Sequence, residues 1–156
     1  MEKKFYIGVK AIVRNQHGQI LVLQSDRPNR VGTGFYWDLP GGRMAEGEDT
    51  QTTLRRELLE ELGTADLVGP VIDCGVVLSD IQFQKSDERI GLLFWGFACE
   101  LSDQASITLS NEHLAYAWAS PEEGVRLLRA NIDQGYDTGL ATLVERAFAE
   151  SLCTTR

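Results

Sequence analysis

The chain has 156 residues, enough for one domain over residues 1–156 that buries a core without disulfide or metal support. Hydrophobic residues make up 43% and no apolar run approaches about 18 residues, so neither a disordered chain nor a membrane span is expected. Asp and Glu outnumber Lys and Arg by 23 to 15, and the net charge of −8 disfavours binding to a nucleic-acid polymer.

Cysteine usage and the start of the chain indicate a compartment. The three cysteines are odd in number and show no metal-ligand spacing. Cys74 and Cys99 stand in apolar runs and are expected to be buried. The first residues lead into no small-residue cleavage site, so no secretory signal is expected. These features predict a reducing, cytoplasmic setting.

Six segments rich in β-branched and aromatic residues are predicted strands. In chain order they cover 5–13, 20–23, 36–39, 71–78, 90–101 and 114–119. The first two flank Asn15-Gln16-His17-Gly18, a turn in which glycine supplies a positive φ, and are therefore predicted to form a β-hairpin. Residues 25–35 are predicted to form a loop, and no helix can persist through Pro40-Gly41-Gly42.

Helical patterns follow. Leu54, Leu58 and Leu62 recur at four-residue spacing and Gly63 comes next, which predicts a helix over Thr50–Leu62. A second helix is predicted to begin at Ser120-Pro121, and apolar spacing along 140–152 predicts a third. The order of elements predicts an α/β fold in which a mixed sheet is flanked by one early helix and two late helices.

Three glutamates share one face of the predicted early helix. Glu57, Glu60 and Glu61 fall within an arc of about 100°. Like charges at these spacings repel each other, and the adjacent Arg56 is predicted to point elsewhere on the helix. A hard divalent cation such as Mg²⁺ would resolve the repulsion, because it binds carboxylate oxygens. For the glutamates alone, a solvated acidic face is the common alternative.

The residues around these glutamates form a motif. From Gly42 to Gly63 the chain reads Gly-x5-Glu-x7-Arg-Glu-Leu-x-Glu-Glu-x-Gly, a pattern expected by chance on the order of 10⁻⁸ times per window. This spacing resembles the Nudix box of the Nudix hydrolase family, and the preceding Leu39-Pro40-Gly41-Gly42 is similar to the usual lead-in. Thr64 departs from the motif, which normally has an aliphatic residue there, at a position that carries no chemistry.

The resemblance implies a fold and an activity. The fold is an α/β/α sandwich built on a mixed sheet. The activity is Mg²⁺- or Mn²⁺-dependent cleavage of the pyrophosphate linkage of a nucleoside diphosphate derivative (a nucleotide sugar, an ADP-ribose-like compound or a nucleoside triphosphate) by water attack on phosphorus. One alternative is a nucleoside triphosphate pyrophosphatase of the dihydroneopterin-triphosphate or oxidised-nucleotide type. Another is a nucleotide-sensing module, although such modules usually lose box carboxylates that this chain keeps.

The resemblance also implies roles within the box. The implied metal ligands are Glu57, Glu60, Glu61 and the carbonyl of Gly41. Arg56 is placed in the same catalytic set, and Arg56 and Glu48 resemble the pair that braces the loop against the helix. The positions of special backbone geometry are Gly41, Gly42 and Gly63.

One further acid is expected from a later loop, because Nudix sites commonly recruit one. Glu112 is the best candidate, since Glu-His-Leu-Ala-Tyr-x-Trp over 112–118 is similar to a segment of bacterial dihydroneopterin triphosphate pyrophosphatases whose glutamate contacts metal. The neighbouring His113 is expected to be a hydrogen-bonded structural residue. The rival acids, in the polar stretch between two predicted strands, are Asp80, Asp87 and Glu88.

Substrate contacts are less clearly marked. The cations available to hold phosphates are Arg27, Arg30, Arg43, Lys85 and Arg89, each of which also fits an ordinary surface position. The aromatic residues available to stack on a base are Phe35, Tyr36 and Phe83, which also fit a core. The expected partner is a small nucleotide, with no nucleic-acid polymer and no membrane, and the family resemblance is compatible with a homodimer.

Overall fold

The computed structural model describes residues 1–25, 36–131 and 137–153. Its strands are β1 Phe5–Arg14, β2 Ile20–Ser25, β3 Tyr36–Asp38, β4 Gly41–Arg43, β5 Leu67–Lys85, β6 Glu88–Leu101 and β7 His113–Ala119. Its helices are α1 Thr50–Leu62, α2 Pro121–Arg129 and α3 Leu140–Cys153. Within these ranges no helix is both long and apolar enough to cross a membrane. The predicted loop 25–35 lies outside the described residues except for Ser25, which ends β2.

β1 pairs with several other strands of the sheet. It runs parallel to β6 over ten register positions, from Phe5 opposite Gly91 to Arg14 opposite Glu100. It also pairs antiparallel with β4, where Lys10 lies opposite Gly41. The strand order is β3-β2-β1-β6-β5, with β4 attached to β1 and β7 attached to β2. The predicted mixed sheet is confirmed.

The predicted hairpin between β1 and β2 is only partly formed. Its turn is present, because the Asn15 side chain accepts from the N–H groups of His17 and Gln19, both at 3.0 Å. In the described part of the chain, however, the two strands pair only where Arg14 faces Ile20. β1 then follows its longer ladder with β6, and β2 follows β3 and β7. The predicted hairpin is therefore confirmed where the strands leave the turn, but a local turn signal does not specify the partners of the strands beyond it.

β5 is longer than predicted and forms a hairpin with β6. It continues to Lys85, so most of the polar stretch expected between two strands is itself strand. Its pairing with β6 shifts register at three places, and Gly69 and Gly75 take positive φ values of 70° and 82°. These bulges interrupt the alternation of buried and exposed residues, which is why the sequence pattern indicated only part of the strand.

β5 also forms one end of the sheet, and part of its backbone is capped. Arg146 Nη1, on α3, donates to the carbonyl oxygens of Cys74 at 3.4 Å and Val76 at 3.0 Å. The N–H of Asp80 donates to the carbonyl of Asp137 at 2.8 Å. These backbone groups of the outermost strand therefore have partners within the chain.

Apolar clusters cover the two faces of the sheet. On one face Leu54, Leu58 and Leu62 of α1, none with any exposed surface, pack against residues of β1, β2 and β6. On the other face α2 and α3 contribute Leu128 and Leu143, together with strand residues. Helices on both faces make the predicted α/β/α arrangement, which is confirmed.

α1 spans the predicted residues Thr50–Leu62 and is capped at both ends. The Asp49 side chain accepts from the N–H of Thr52 at 2.8 Å. Gly63 has φ 70°, and its N–H donates to the Leu59 carbonyl at 3.1 Å. These local signals explain why the helix could be predicted from the sequence.

The predicted burial of two cysteines is confirmed. Cys74 and Cys99 have only 4% and 0% of their surface exposed. Burial raises the pKa of the Cys99 thiol to about 12, which keeps it protonated near neutral pH. These cysteines therefore serve as core residues.

Leu58→Ala is expected to lower the free energy of unfolding by about 2 to 5 kcal/mol, because it leaves a cavity between α1 and the sheet. Leu59→Ala makes the same change at a residue that is 56% exposed, and is expected to cost less than about 0.5 kcal/mol. Urea unfolding followed by circular dichroism measures both. Equal losses for the two variants would contradict the packing of α1 described above.

Candidate functional site

Glu61 is a buried acid at the junction of α1, β4 and β7, with 6% of its surface exposed. The N–H of Gly41 donates to its Oε2 at 2.7 Å. The His113 ring Nε2 lies 3.1 Å from its Oε1, and because a carboxylate oxygen only accepts, we assign the ring proton to Nε2. Two residues distant in sequence thus hold both oxygens of Glu61.

Gly41 brings β4 close enough to make this contact. It has φ 138°, and a Cβ there would lie 2.0 Å from the carbonyl oxygen of Val9 on β1. Only glycine fits this approach, which directs the N–H of Gly41 at Glu61.

Glu57 is the second box acid, with 12% of its side chain exposed. Burial and then the charge of Glu61 raise the pKa of Glu57, while Arg56 beside it acts in the opposite direction. Gly42 leaves room for this carboxylate, since a Cβ on residue 42 would lie 2.4 Å from Glu57 Oε1. Two acids on one helix face are therefore held where their charges repel each other.

Arg56 contacts the acids of its own helix, which corrects the prediction that it points elsewhere. Its Nη1 donates to Glu57 Oε1 at 2.9 Å and to Glu60 Oε2 at 3.3 Å. Its Nε and Nη2 donate to the two oxygens of Glu48 at 2.6 and 3.0 Å. The long side chain lies along the helix and reaches the residue one turn later, which the angular position of its Cα does not reveal. Arg56 therefore partly compensates two of the three box glutamates.

Glu48 ties the loop before α1 to the helix. Besides Arg56, it accepts from the N–H of Ala45 at 3.1 Å and from the hydroxyl of Thr53 at 2.8 Å. The bonds from Arg56, and then the one from Ala45, lower the pKa of Glu48 from 4.5 to about 2. The loop is thus fixed to the second turn of α1 through an ionised carboxylate.

The start of β7 brings a third acid to the site. Glu61, Glu112 and His113 each offer one ligand atom, and these atoms lie within 4.8 Å of one another. Glu112 is exposed, whereas the His113 side chain is 5% exposed. The acid predicted from a later loop therefore lies beside a box glutamate, while Glu60 lies towards solvent with 59% of its side chain exposed.

The rival acids of the β5–β6 hairpin lie elsewhere. Asp80 Oδ2 accepts from the N–H of Asp137 at 3.0 Å. Glu88 pairs with Lys4 at 2.8 Å, and Asp87 is exposed at the turn. Within the described ranges, none of these three acids belongs to the cluster of ligand atoms that Glu61, Glu112 and His113 form.

A cavity of about 400 Å³ opens beside Glu61. Its lining comprises Lys10, Tyr36, Asp38, Gly41, Gly42, Arg43, Glu61, Ile81, Gln82, Phe83, Leu92, Phe94 and His113. Most of the apolar lining comes from β5 and β6. The charged lining comes from β1, β3, β4 and α1 and includes two acids, Asp38 and Glu61, and two cations, Lys10 and Arg43. The cavity thus joins a wall with charges of both signs to an apolar one.

Some predicted substrate-binding residues lie at this cavity. Arg43 places its guanidinium carbon 4.9 Å from the centre of the Tyr6 ring and 5.1 Å from that of Phe83. No carboxylate pairs with Arg43 within the described ranges, so its charge is available to an anion. Of the other predicted residues, Tyr36 and Phe83 line the cavity, and Lys85 and Arg89 are exposed outside it. Outside the described residues lie Arg27, Arg30 and Phe35.

The sequence analysis missed a buried ion pair in the cavity wall. Lys10 Nζ lies 2.9 Å from Asp38 Oδ1, with 6% and 16% of the two side chains exposed. The available signal was a single charged residue in the otherwise apolar run 5–13. A lone charge in a buried strand requires a partner, which here comes from β3.

The donor atoms of the site fit a divalent cation. Glu61 and Glu112 each offer a carboxylate oxygen, and these two atoms lie within 4.8 Å of each other and of a His113 ring nitrogen. Hard cations such as Mg²⁺ and Mn²⁺ bind oxygen-rich donor sets of this kind. A cation would also relieve the repulsion that contributes to the raised pKa of Glu57.

Comparison with known proteins places the chain among characterised relatives. The NUDIX domain family model matches residues 4–141. The CTP pyrophosphohydrolase of Escherichia coli is 31% identical over 127 residues, which cover 81% of this chain and 85% of that protein. The nucleoside triphosphatase NudI of Salmonella typhimurium is 34% identical over 116 residues, 72% of this chain and 79% of the relative. The crystal structure of a MutT protein from Methanosarcina mazei is similar with a TM-score of 0.65 and 28% identity, covering 97% of this chain and 98% of the other.

Glu48→Gln is expected to lower the melting temperature at pH 7 by on the order of 3 °C, because it removes the charged contacts with Arg56. The pKa of Glu48 is lowered in the folded state, so its contribution is present above the unfolded value of 4.5 and is lost as pH falls towards about 2. The difference from the wild type should therefore shrink between pH 5 and pH 2 in thermal scans. Glu46→Gln, exposed in the same loop, is the matched control and should change little. A difference that stays constant with pH would contradict this account.

Proposed function

Because the chain belongs to the Nudix hydrolase family, we propose that it is a Mg²⁺-dependent pyrophosphohydrolase, with Mn²⁺ as a substitute, whose substrates are nucleoside triphosphates. The products are a nucleoside monophosphate and pyrophosphate, released by water attack on phosphorus. Two relatives support this substrate class, since one is named for CTP and the other for nucleoside triphosphates. Among the earlier alternatives, this favours nucleoside triphosphates over nucleotide sugars and ADP-ribose-like compounds.

One observation carries the proposal: ligand atoms of Glu61, Glu112 and His113 converge within 4.8 Å beside a cavity that also receives Arg43. A nucleotide-sensing module does not need such a set of acids. The presence of Glu57, Glu60 and Glu61 together therefore favours an enzyme over a sensor.

In this proposal the cation would be held by four carboxylates and one carbonyl, those of Glu57, Glu60, Glu61, Glu112 and Gly41. When bound, the cation neutralises charge that develops on the phosphates and lowers the pKa of a water molecule. The protein supplies the orientation of these ligands. Gly41 N–H and His113 Nε2–H hold Glu61 in place.

Arg56 acts as a positioning residue, because its bonds end on Glu48, Glu57 and Glu60. Arg43 instead has free donors, and we assign it to the substrate phosphates. Tyr36 and Phe83, in the cavity wall, are assigned to the nucleoside.

Three broader expectations stay predictions. The family model match over 4–141 is compatible with one domain over residues 1–156. The burial of Cys74 and Cys99 is compatible with the cytoplasm. A homodimer is compatible with the family and can be measured by light scattering.

The substrate class is tested by incubating the purified protein with CTP, UTP, GTP, ITP, a nucleotide sugar and ADP-ribose. We expect pyrophosphate and a nucleoside monophosphate from a triphosphate when Mg²⁺ is present, and no turnover after exhaustive chelation. Restored turnover on adding Mg²⁺ or Mn²⁺ is the control for damage by the chelator. Full turnover without a divalent cation, or no triphosphate hydrolysis, would overturn the proposal.

The acids are tested by Glu57→Gln, Glu61→Gln and Glu112→Gln. Each is expected to lower kcat at saturating Mg²⁺, by at least about a hundredfold for Glu57 and Glu61, because the weakened cation no longer stabilises the transition state. Glu60→Gln is expected to fall in the same class. The exposed Glu46→Gln is the matched control in the same motif, with unchanged kcat.

The third acid is tested against its rivals by Asp80→Asn, Asp87→Asn and Glu88→Gln. We expect these three variants to retain kcat, and Glu112→Gln to reduce kcat more than it raises KM with little change in melting temperature. If Glu112→Gln retained full kcat while one of the hairpin variants was inactive, the third acid would instead belong to the β5–β6 hairpin.

A further inference from the structure

Lys10 carries a charge into the cavity wall but offers no proton to a ligand. It is 5% exposed, between Val9 and Ala11, which have no exposed surface. Its Nζ donates to Asp38 Oδ1 at 2.9 Å and to the Leu39 carbonyl at 3.1 Å, and it faces the Gly41 carbonyl at 3.5 Å. Its three protons are therefore directed at protein oxygens.

Only one of the two Asp38 carboxylate oxygens has hydrogen-bond partners within the described ranges. Its Oδ1 accepts from Lys10 and from the N–H of Leu39 at 2.7 Å, which uses both lone pairs of that atom. Its Oδ2 has no hydrogen-bond partner among the described residues, and Asp38 lines the cavity with 16% of its side chain exposed. Lys10 thus fixes the orientation of a carboxylate that lines the cavity and that keeps one acceptor oxygen without a partner in the described ranges.

Stability alone does not explain this arrangement. A buried ion pair gains little over a well-packed apolar pair, because both charges lose their hydration. Leu92 and Phe94 line the same cavity. Two apolar residues in place of Lys10 and Asp38 would therefore have extended this apolar wall. The pair is better explained by a contact with a bound molecule.

The chemistry of Asp38 Oδ2 restricts that contact. An ionised carboxylate oxygen accepts and cannot donate, so it repels phosphate and pairs only with a donor. Among nucleobases, cytosine, adenine and guanine carry an exocyclic amino group. Uracil has a carbonyl where cytosine has its amino group, and hypoxanthine lacks the amino group of guanine.

We propose that Asp38, held by Lys10, selects substrates whose base carries an exocyclic amino group. The inference rests on the proposed triphosphate hydrolysis and adds the class of base. A base that places a carbonyl against Oδ2 leaves two acceptors facing each other, and polar mismatches of this kind strongly disfavour a substrate.

The wild-type enzyme tests this first, with two matched pairs of substrates. CTP and UTP differ where cytosine has its amino group, and GTP and ITP differ only by the amino group of guanine. In each pair that is hydrolysed, we expect kcat/KM to favour the amino-bearing member by at least about fivefold. A smaller ratio overturns this inference but leaves triphosphate hydrolysis intact, whereas hydrolysis of none of the four contradicts the proposed function itself.

Asp38→Asn tests the residue. The asparagine retains an oxygen towards Lys10 and Leu39 and places an NH₂ group where Oδ2 stood, so an acceptor becomes a donor. We expect the ratio of kcat/KM between CTP and UTP, or between GTP and ITP, to fall below about twofold. The value of kcat/KM for UTP or ITP should be unchanged or raised. A folded variant that retains the wild-type ratio overturns the inference.

A control and a second variant keep the test decisive. Asp73→Asn makes the same change in a carboxylate that accepts from Trp95 Nε1 at 2.9 Å and Gly75 N–H at 2.7 Å, away from the cavity lining. The ratio of kcat/KM within each substrate pair should be the same for this variant as for the wild type.

The double variant Lys10→Met/Asp38→Asn replaces Asp38→Asn if the latter does not fold, because it leaves no unpaired buried charge. It should likewise abolish the preference for the amino-bearing substrate, and a preference that is retained in this variant overturns the inference.

Discussion

The guanidinium of Arg56 holds the loop before α1 and two acids of α1 at the same time, and the geometry of the site depends on it. Its flat fork matches both oxygens of Glu48, and the remaining nitrogen reaches Glu57 and Glu60. The strand that leads into this loop carries Gly42, which lies directly against the Glu57 carboxylate. If Arg56 released Glu48, the loop could move away from the helix and Glu57 would lose one wall of its environment.

α1 combines two opposing requirements on its two faces. One face carries three leucines without exposed surface and anchors the helix to the sheet. The other carries acids whose mutual repulsion and partial burial raise the pKa of Glu57. The packing of the apolar face stabilises the helix, and the fold therefore tolerates the repulsion among the acids on its charged face.

Local signals made part of this molecule predictable. The leucine spacing, Asp49 and Gly63 are encoded within α1 and its caps, so this helix has its predicted ends. The box glutamates could be named because their spacing is a motif. Strand partners could not, since the parallel pairing of β1 with β6 joins segments more than 80 residues apart along the chain. The same holds for Lys10 and Asp38, whose contact exists only once the sheet places β1 and β3 on either side of β2.

The hydrogen bonds to the backbone of β5 affect how a second molecule can associate with the sheet. An outermost strand with unpaired N–H and C=O groups can recruit a strand from a neighbouring molecule and begin an aggregate. Here the guanidinium of Arg146 occupies the carbonyls of Cys74 and Val76, and Asp137 occupies the N–H of Asp80. A foreign strand would have to displace these intramolecular partners before it could extend the sheet. Addition of a strand from a second molecule is therefore disfavoured at this stretch of β5.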